Sequence, residues 1–475
     1  MIPETLACIC PSATFRIIKF QHAGFVEADR SIHRYKNYAS LSLLQRVSGT
    51  GNALLECYDV AVFIVAKMLR LGESMRYLLL LNLQSRGSHF IIAIFLCALS
   101  LLVHAGNDKP VLIGIDGEFG LENSVSAQAI ELGVRTAISE INAAGGVLGG
   151  RSIEVVTKDH RSMPARGMRN IREFAAMPDL VAVFGGRFSP VIIEQLPILN
   201  ETRLLFMAVW SSADPIIDNG MHPNYVFRVS LRDSLAMPKM LDYAHQRGLN
   251  NVGLLLTNTS WGRSNRAAAE KYEASGKPLK IVQTAWYNWQ DKSLIDKYQM
   301  LLNTGAQAIV LVANDEEAAL LVREMAALPA EKRVPVISHW GITGGEFVKR
   351  AGPALPEVDF SVIQTFSFFN ADKKQLERFM RAAAPFGINR IDDIRAPVGV
   401  AHAYDAMHIL ARAINLAGTT ERPAIRDALE NIREHRGLIK LYKPPFAKDR
   451  HEALGQNELL MARYRSDGVL VPVQK

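Results

Sequence analysis

The chain has 475 residues, 49% of them hydrophobic and 21% charged, an ordinary globular composition that excludes a disordered or coiled-coil chain. Its net charge is +7: residues 1–105 hold ten Lys/Arg against six Asp/Glu, and the remainder holds 44 against 41, spread without a basic block. A footprint on phosphates needs clustered charge, so nucleic acid is not the partner.

The four cysteines, Cys8, Cys10, Cys57 and Cys97, all precede residue 106. The rest of the chain therefore has no disulfide framework, no Cys-ligated zinc site and no Cys nucleophile. Phe90–Val103 is an apolar run of 14 residues. A membrane-spanning helix takes about 20 such residues, so this run has instead the length of a signal-peptide core. Arg76 and Arg86 precede it, and Val103-His104-Ala105 places small residues for cleavage after Ala105. Met75 would start a signal of normal shape over 75–105. Residues 1–74 read as an extension upstream of that start, without a role in export. Phe95-Leu96 before Cys97 lacks the small residue that lipidation requires.

Beyond the leader, Lys109–Asp116 reads as a buried strand bounded by Pro110 and Gly117. Ile130, Val134, Ala137, Ile138 and Ile141 recur at helical spacing, and Gly145-Gly146 ends that helix with the positive φ of a C-cap. Ser152–Lys158 is the next strand, and strand–helix–strand of this length demands a right-handed parallel crossover. Leu180–Phe184 and Leu204–Val209 follow as strands around a helix at 191–200, then Val226–Val229. A second series runs Asn251–Leu256, helix 263–274, Leu279–Thr284, helix 293–303, Ala308–Val312, helix 316–327 and Val334–Ser338. Such alternation predicts doubly wound α/β domains, and there are too many units for one sheet. In open α/β sheets ligands sit beyond the carboxyl ends of the strands. The segments there are Asp116–Gly120, Gly185–Ser189, Trp210–Asp214, Asn258–Trp261, Asn314–Asp315 and His339–Gly341, rich in Gly, Ser, Asn, Asp and Trp.

Glu140–Arg151 (EINAAGGVLGGR), followed by SIEVVTKD, resembles the leucine/isoleucine/valine-binding family of type I periplasmic binding proteins. Val183-Phe184-Gly185-Gly186 with Ser189, Ser211–Pro215, Tyr225–Arg228, Trp261-Gly262 and Ala403–Ala406 extend the resemblance in order across about 365 residues. The resemblance implies two α/β lobes joined by three crossovers, with a cleft that closes on a ligand. The first lobe is expected over 109–229 and 367–438, the second over 230–366 and 439–473. It further implies a monomeric periplasmic receptor that hands a small amino-acid-like or carboxylate-bearing solute to the permease and ATPase of an ABC importer.

The resemblance also implies a set of contacts. Ser189, Ser211 and Ser212 match positions that hold a ligand carboxylate, although Ala213 stands where a hydroxyl residue is usual. Trp261 matches the aromatic that covers the ligand from the second lobe. Asn314 and Trp340 fall where an aromatic and an acid face the ligand ammonium, so the acid is missing from its place. A buried ammonium without a counter-charge costs several kcal/mol. Either Glu118, Asp214 or Asp315 replaces that acid, or the ligand is not an ordinary α-amino acid. Trp210, Trp261 and Trp340, three of the five tryptophans, fall on these loops and would suit an aromatic acid or a quaternary ammonium.

No HExxH, GxSxG, Walker A or GxGxxG occurs, and His339, His402, His408, Asp392 and Asp393 lack the partner spacing of an acid–base pair. Neither catalysis, a cofactor nor a metal is expected. The competing reading is a ligand-sensing domain of a regulator, which would need an output module; residues 1–74 show no helix-turn-helix. Amino-terminal sequencing of the exported product should read from Gly106. A product that keeps residues before 75 would refute the assignment of the true start.

Overall fold

Seven residues, Val111–Gly117, form the first strand (β1), which pairs in parallel with Ile153–Asp159 (β2) on one side and Leu180–Gly185 (β3) on the other. Leu205–Ala208 (β4) and Val226–Arg228 (β5) complete a sheet of order β2-β1-β3-β4-β5, parallel throughout. The connecting helices are Val125–Ala143 (α1), Pro164–Ala175 (α2) and Ser189–Thr202 (α3). The computed structural model describes residues 109–473 apart from 122 and 123, together with a short antiparallel pairing of Ile9–Cys10 with Ala13–Thr14. The signal segment expected over 75–105 lies outside the described residues.

The turn that ends α1 follows from its glycines. Gly145 and Gly146 have φ of +103° and +73°, and the Gly146 amide bonds to Ile141 O. A Cβ on Gly146 would also stand 2.2 Å from Arg151 O, so both the backbone angle and the space call for glycine.

The second sheet is built the same way from Asn251–Thr257 (β6), Lys280–Tyr287 (β7), Ala308–Val312 (β8), Val336–Ser338 (β9) and Phe360–Gln364 (β10). Its helices are Asp233–Gln246 (α4), Ser260–Ala274 (α5), Ile295–Asn303 (α6), Asp315–Ala326 (α7) and the short Phe347–Ala351 (α8). The chain then returns to the first lobe as Lys373–Ala383 (α9), Pro397–Ala417 (α10) and Arg422–Asn431 (α11). Both α9 and α10 pack on α1, and α11 packs on α10. Two short strands, His435–Arg436 (β11) and Leu441–Tyr442 (β12), pair with each other. Leu460–Tyr464 (β13) and Leu470–Pro472 (β14) go back to the second sheet as antiparallel edge strands, giving β14-β13-β10-β9-β8-β6-β7.

The chain thus crosses between the lobes three times, after β5, after β10 and before β13. The third crossing falls later than the sequence reading placed it. Residues 451–453 run beside β5, with Arg228 N bonded to His451 O at 2.8 Å and Ala453 N to Arg228 O at 2.9 Å. The stacked Phe227 and His451 rings, 3.9 Å apart, hold that segment on the first lobe. Short backbone pairing of this kind carries no hydrophobic period, so periodicity misses it.

Helices α1 and α10 pack closely in the first lobe. A Cβ on Gly133 would meet Val400 O at 2.3 Å and Ala403 Cβ at 2.9 Å. In an ordinary helix interior Gly→Ala stabilises by about 1 kcal/mol. Here the overlap reverses the sign: Gly133→Ala should destabilise by about 1–3 kcal/mol, read from urea melts. A stabilised variant would show that the two helices separate freely.

Candidate functional site

Parallel strands all end on the same edge of their sheet, and the carboxyl ends of both sheets meet along one seam. From the first lobe come Glu118 after β1, Arg187 and Ser189 around the start of α3, and 210–214 after β4. From the second come Trp261 in the first turn of α5, Asn314 as the residue before α7, and the 3₁₀ turn Trp340–Gly344. Trp261 was expected on a loop, but α5 begins at Ser260, so its ring projects from a helix. All eight residues singled out in the sequence are buried.

The structure brings several of them together in two groups. Around Gly186, Ser211 Oγ donates to Gly186 O at 2.7 Å, and Ser189 Oγ accepts from Ala213 N at 3.3 Å. A Cβ on Gly186 would stand 2.7 Å from Glu118 Oε2. Around Gly341, a Cβ would stand 2.6 Å from Trp261 Cη2 and 3.2 Å from Asn314 Oδ1. Trp210 and Trp340 join the lobes, their ring centroids 6.3 Å apart. Ser212 contributes backbone: its carbonyl accepts from Asp233 N at 2.9 Å.

Neighbouring histidines orient the tryptophans. Trp340 N donates to His339 Nδ1 at 3.0 Å, so the ring proton sits on Nε2 and is given to Asp233 Oδ1 at 3.1 Å. The Trp261 ring stands edge-on to His339, with centroids 5.0 Å apart. His402, 5.5 Å from the Trp340 ring, donates from Nδ1 to Val209 O and accepts from Thr365 Oγ1. Its burial pushes the imidazole down to about 3, so it is neutral and serves as packing.

Sequence reasoning passed over Arg187, which lies inside the Gly185–Ser189 segment it had flagged. The guanidinium crosses the seam to Asp315 Oδ1 at 3.1 Å and Gly341 O at 3.5 Å, and its Nε lies 3.8 Å from Glu118 Oε1. Ser126 Oγ lies against Glu118 and, at 3.1 Å, against Gly344 O of the other lobe. Ser264, three residues after Trp261 and so on the same helix face, accepts from Asp214 N at 3.0 Å. Glu118 and Asp315, two of the acids weighed for a ligand ammonium, thus both face Arg187. Asp214, the third, is held by Arg232 at 3.1 Å. Trp261 Nε1, Arg187 Nε and Glu118 Oε2 are buried without a hydrogen-bond partner among the described residues.

A separate cleft of about 340 Å³ opens beyond Gly344, lined by Glu346, Phe347, Phe369, Arg395 and Tyr464 among others. None of the eight sequence-derived residues lines it. Among the described residues no group of three His, Cys, Asp or Glu side chains is placed to hold a metal, and no helix is long and apolar enough to cross a membrane.

Two parallel-sheet lobes joined by three crossings, with polar and aromatic side chains meeting at their strand ends, define the two-lobed binding-protein class. Residues 111–468 match the periplasmic binding protein family, and the chain belongs to it. It is 24% identical over 327 residues to Leu/Ile/Val-binding protein homolog 1 of Brucella abortus, covering 67% of this chain and 82% of that one. The fold matches a type 1 periplasmic binding protein from Bordetella pertussis at a TM-score of 0.69 and 22% identity, over 77% of this chain and all of that one. It also matches an ABC-transporter solute-binding protein from R. palustris, solved with 4-hydroxybenzoate, at a TM-score of 0.63 and 16% identity, over 77% and 96% of the two chains.

Asp116, at the end of β1, gives the site's surroundings a pH dependence. Burial raises its carboxyl to about 7 from 3.8, although Asn170 and Gln195 donate to it at 2.7 and 2.5 Å, and neighbouring Glu118 adds to the rise. The folded state therefore binds a proton that the unfolded chain releases near pH 4. Stability from this residue is complete below about 4, falls as pH rises, and levels off above about 7, a loss of at most roughly 4 kcal/mol. Asp116→Asn should flatten the dependence of thermal melting between pH 5 and 7.5. Identical slopes for the two proteins would show that Asp116 ionises normally.

Proposed function

We propose that this protein is the solute-binding component of an ABC importer, working in the periplasm, and that it closes its two lobes on a small carboxylate-bearing solute. The permease and ATPase of that importer are its partners, and it carries out no chemistry. The observation that carries the reading is the character of the seam. Trp261 Nε1, on the second lobe, is a buried donor without a hydrogen-bond acceptor among the described residues, and Arg187 Nε, on the first, is buried at 3.8 Å from Glu118 Oε1, beyond hydrogen-bond distance. They accompany the serine-bearing segments at 189 and 211–212. Unpaired buried donors favour an anionic acceptor, since leaving each one unmet costs about 1–3 kcal/mol. Glu118 and Asp315 already face Arg187. With both acids engaged by Arg187, neither stands free as the counter-charge of a ligand ammonium.

The relatives frame the choice of solute. One is named for leucine, isoleucine and valine, and a solved neighbour holds 4-hydroxybenzoate. Trp261, whose indole N–H at the seam is without an acceptor among the described residues, suits the second chemistry, while Trp210 and Trp340 pack against each other. Closure follows from differential affinity: a solute that touches both lobes stabilises only the closed state.

A thermal-shift panel tests this, with L-leucine, L-isoleucine, L-valine, benzoate, 4-hydroxybenzoate, their amides and choline. A carboxylate present at about 100 times its Kd stabilises by about 2.7 kcal/mol, a rise of several degrees, and its amide at the same concentration should stabilise less. Stabilisation by choline or by the neutral amides alone would sink the carboxylate reading.

A further inference from the structure

The segment that bears Ser211 and Ser212 is an irregular stretch of backbone after β4, yet each of its peptide groups has a fixed direction. The side chain that fixes it is Arg228, the last residue of β5 and wholly buried. Its Nη1 donates to Ala213 O at 2.9 Å and to Ser211 O at 3.4 Å. The other edge of the guanidinium is taken by Glu452, through Nε at 2.9 Å and through Nη2. Five N–H groups in a planar fork allow one side chain to serve both partners at once.

A trans peptide is planar, with its C=O and N–H pointing in opposite directions. Drawing the Ala213 carbonyl toward Arg228 therefore drives the Asp214 N–H the other way. That N–H meets Ser264 Oγ, on α5 of the second lobe, at 3.0 Å. The side opposite Arg228 is thus the seam itself. By the same planarity, drawing in the Ser211 carbonyl turns the Ser212 N–H toward the seam. The intervening peptides alternate. The Ser212 carbonyl accepts from Asp233 N, and the Ala213 N–H donates to Ser189 Oγ. Among the described residues neither the Ser211 nor the Ser212 N–H has a hydrogen-bond partner.

From this geometry we infer that Arg228 is a positioning residue for solute binding: with Glu452 it holds the Ser211 and Ala213 carbonyls on the buried side, so that the Ser212 N–H is presented to an anionic group in the seam. Glu452 belongs to the segment that enters the third crossing between the lobes. Arg232, on the first crossing, lies 3.7 Å from Glu452 and 3.1 Å from Asp214. One buried ion pair therefore ties the presented backbone to two of the three connections on which closure turns. The inference rests on the proposed solute reading for what is bound, but not for how the segment is held.

The test compares the full chain with Arg228→Lys, which keeps the charge but replaces the planar five-donor fork that spans Glu452 and both carbonyls with a single ammonium. Calorimetric titration with 4-hydroxybenzoate and with 4-hydroxybenzamide is paired with amide hydrogen exchange over 209–216 and 111–117. Affinity for the acid should fall about tenfold or more, the amide should lose less, and exchange should quicken over 209–216 while 111–117 is unchanged. Wild-type affinity with unchanged exchange overturns the inference. So does an equal loss for acid and amide with faster exchange in both segments, which marks a purely structural role. If neither probe binds the wild type, the aromatic-acid reading fails, and the exchange comparison alone decides the role of Arg228. If Arg228→Lys does not fold, Glu452→Gln, which removes the partner's charge and keeps its shape, carries the same measurements with the same outcomes.

Discussion

Parallel strand pairing is the constraint on which the rest depends. A parallel strand must be followed by a crossover, so every strand of a run points the same way and every carboxyl end lies on one edge. Each lobe of this protein therefore gathers its loops on a single side. Three crossings set those two sides face to face. The candidate site residues need no common stretch of sequence: Glu118, Ser189, Trp261, Asn314 and Trp340 span more than two hundred positions and still meet at one seam. Their convergence is a property of strand direction.

What lies at the seam is governed by the expense of burying polar groups. A buried polar group without a partner costs about 1–3 kcal/mol, and a buried charge costs more unless it is paired. The protein meets this with pairs that cross between elements: Arg187 with Asp315, Arg228 with Glu452, His339 with Asp233. Truncating one member of such a pair leaves the other uncompensated, which is why these contacts enforce a particular arrangement more than they add stability. One of them, Arg187–Asp315, joins residues of different lobes, as does the Ser212–Asp233 backbone bond.

The fold was legible in the sequence because backbone hydrogen bonding imposes periods. Apolar runs of four to eight residues at Ile113, Val183, Leu255 and Val310 mark strands buried on both faces, and the spacing of Ile130, Val134 and Ala137 marks a helix against a sheet. Element ends were less legible. The sequence reading began α5 at 263, but the helix starts at Ser260, because Ser260, Trp261 and Gly262 look like loop residues when only their polarity is weighed. The site was partly legible for the same reason as the fold: strand ends can be counted. Arg187 escaped notice because an arginine in a glycine-rich turn usually faces solvent. Its burial depends on Asp315 and Gly341 arriving from another lobe, 128 and 154 residues away. Glu452 escaped because the backbone pairing beside β5 leaves no periodic trace.

On the proposed reading, closure and recognition are tied by the same unpaired atoms. Trp261 Nε1, on the second lobe, and Arg187 Nε, on the first, are buried donors without a hydrogen-bond partner among the described residues. With the lobes apart, water satisfies each of them. With the lobes together, each bears a desolvation cost that the protein alone does not offset. Two such donors together oppose closure by an amount comparable to the few kcal/mol that separate two states of a hinged protein. A molecule that supplies the missing partners removes that opposition only in the closed arrangement. It then shifts the equilibrium by its differential affinity and by nothing else. On the proposed reading, selectivity and motion are one property of the seam: the groups that would meet the solute are the groups that make closing without it unfavourable.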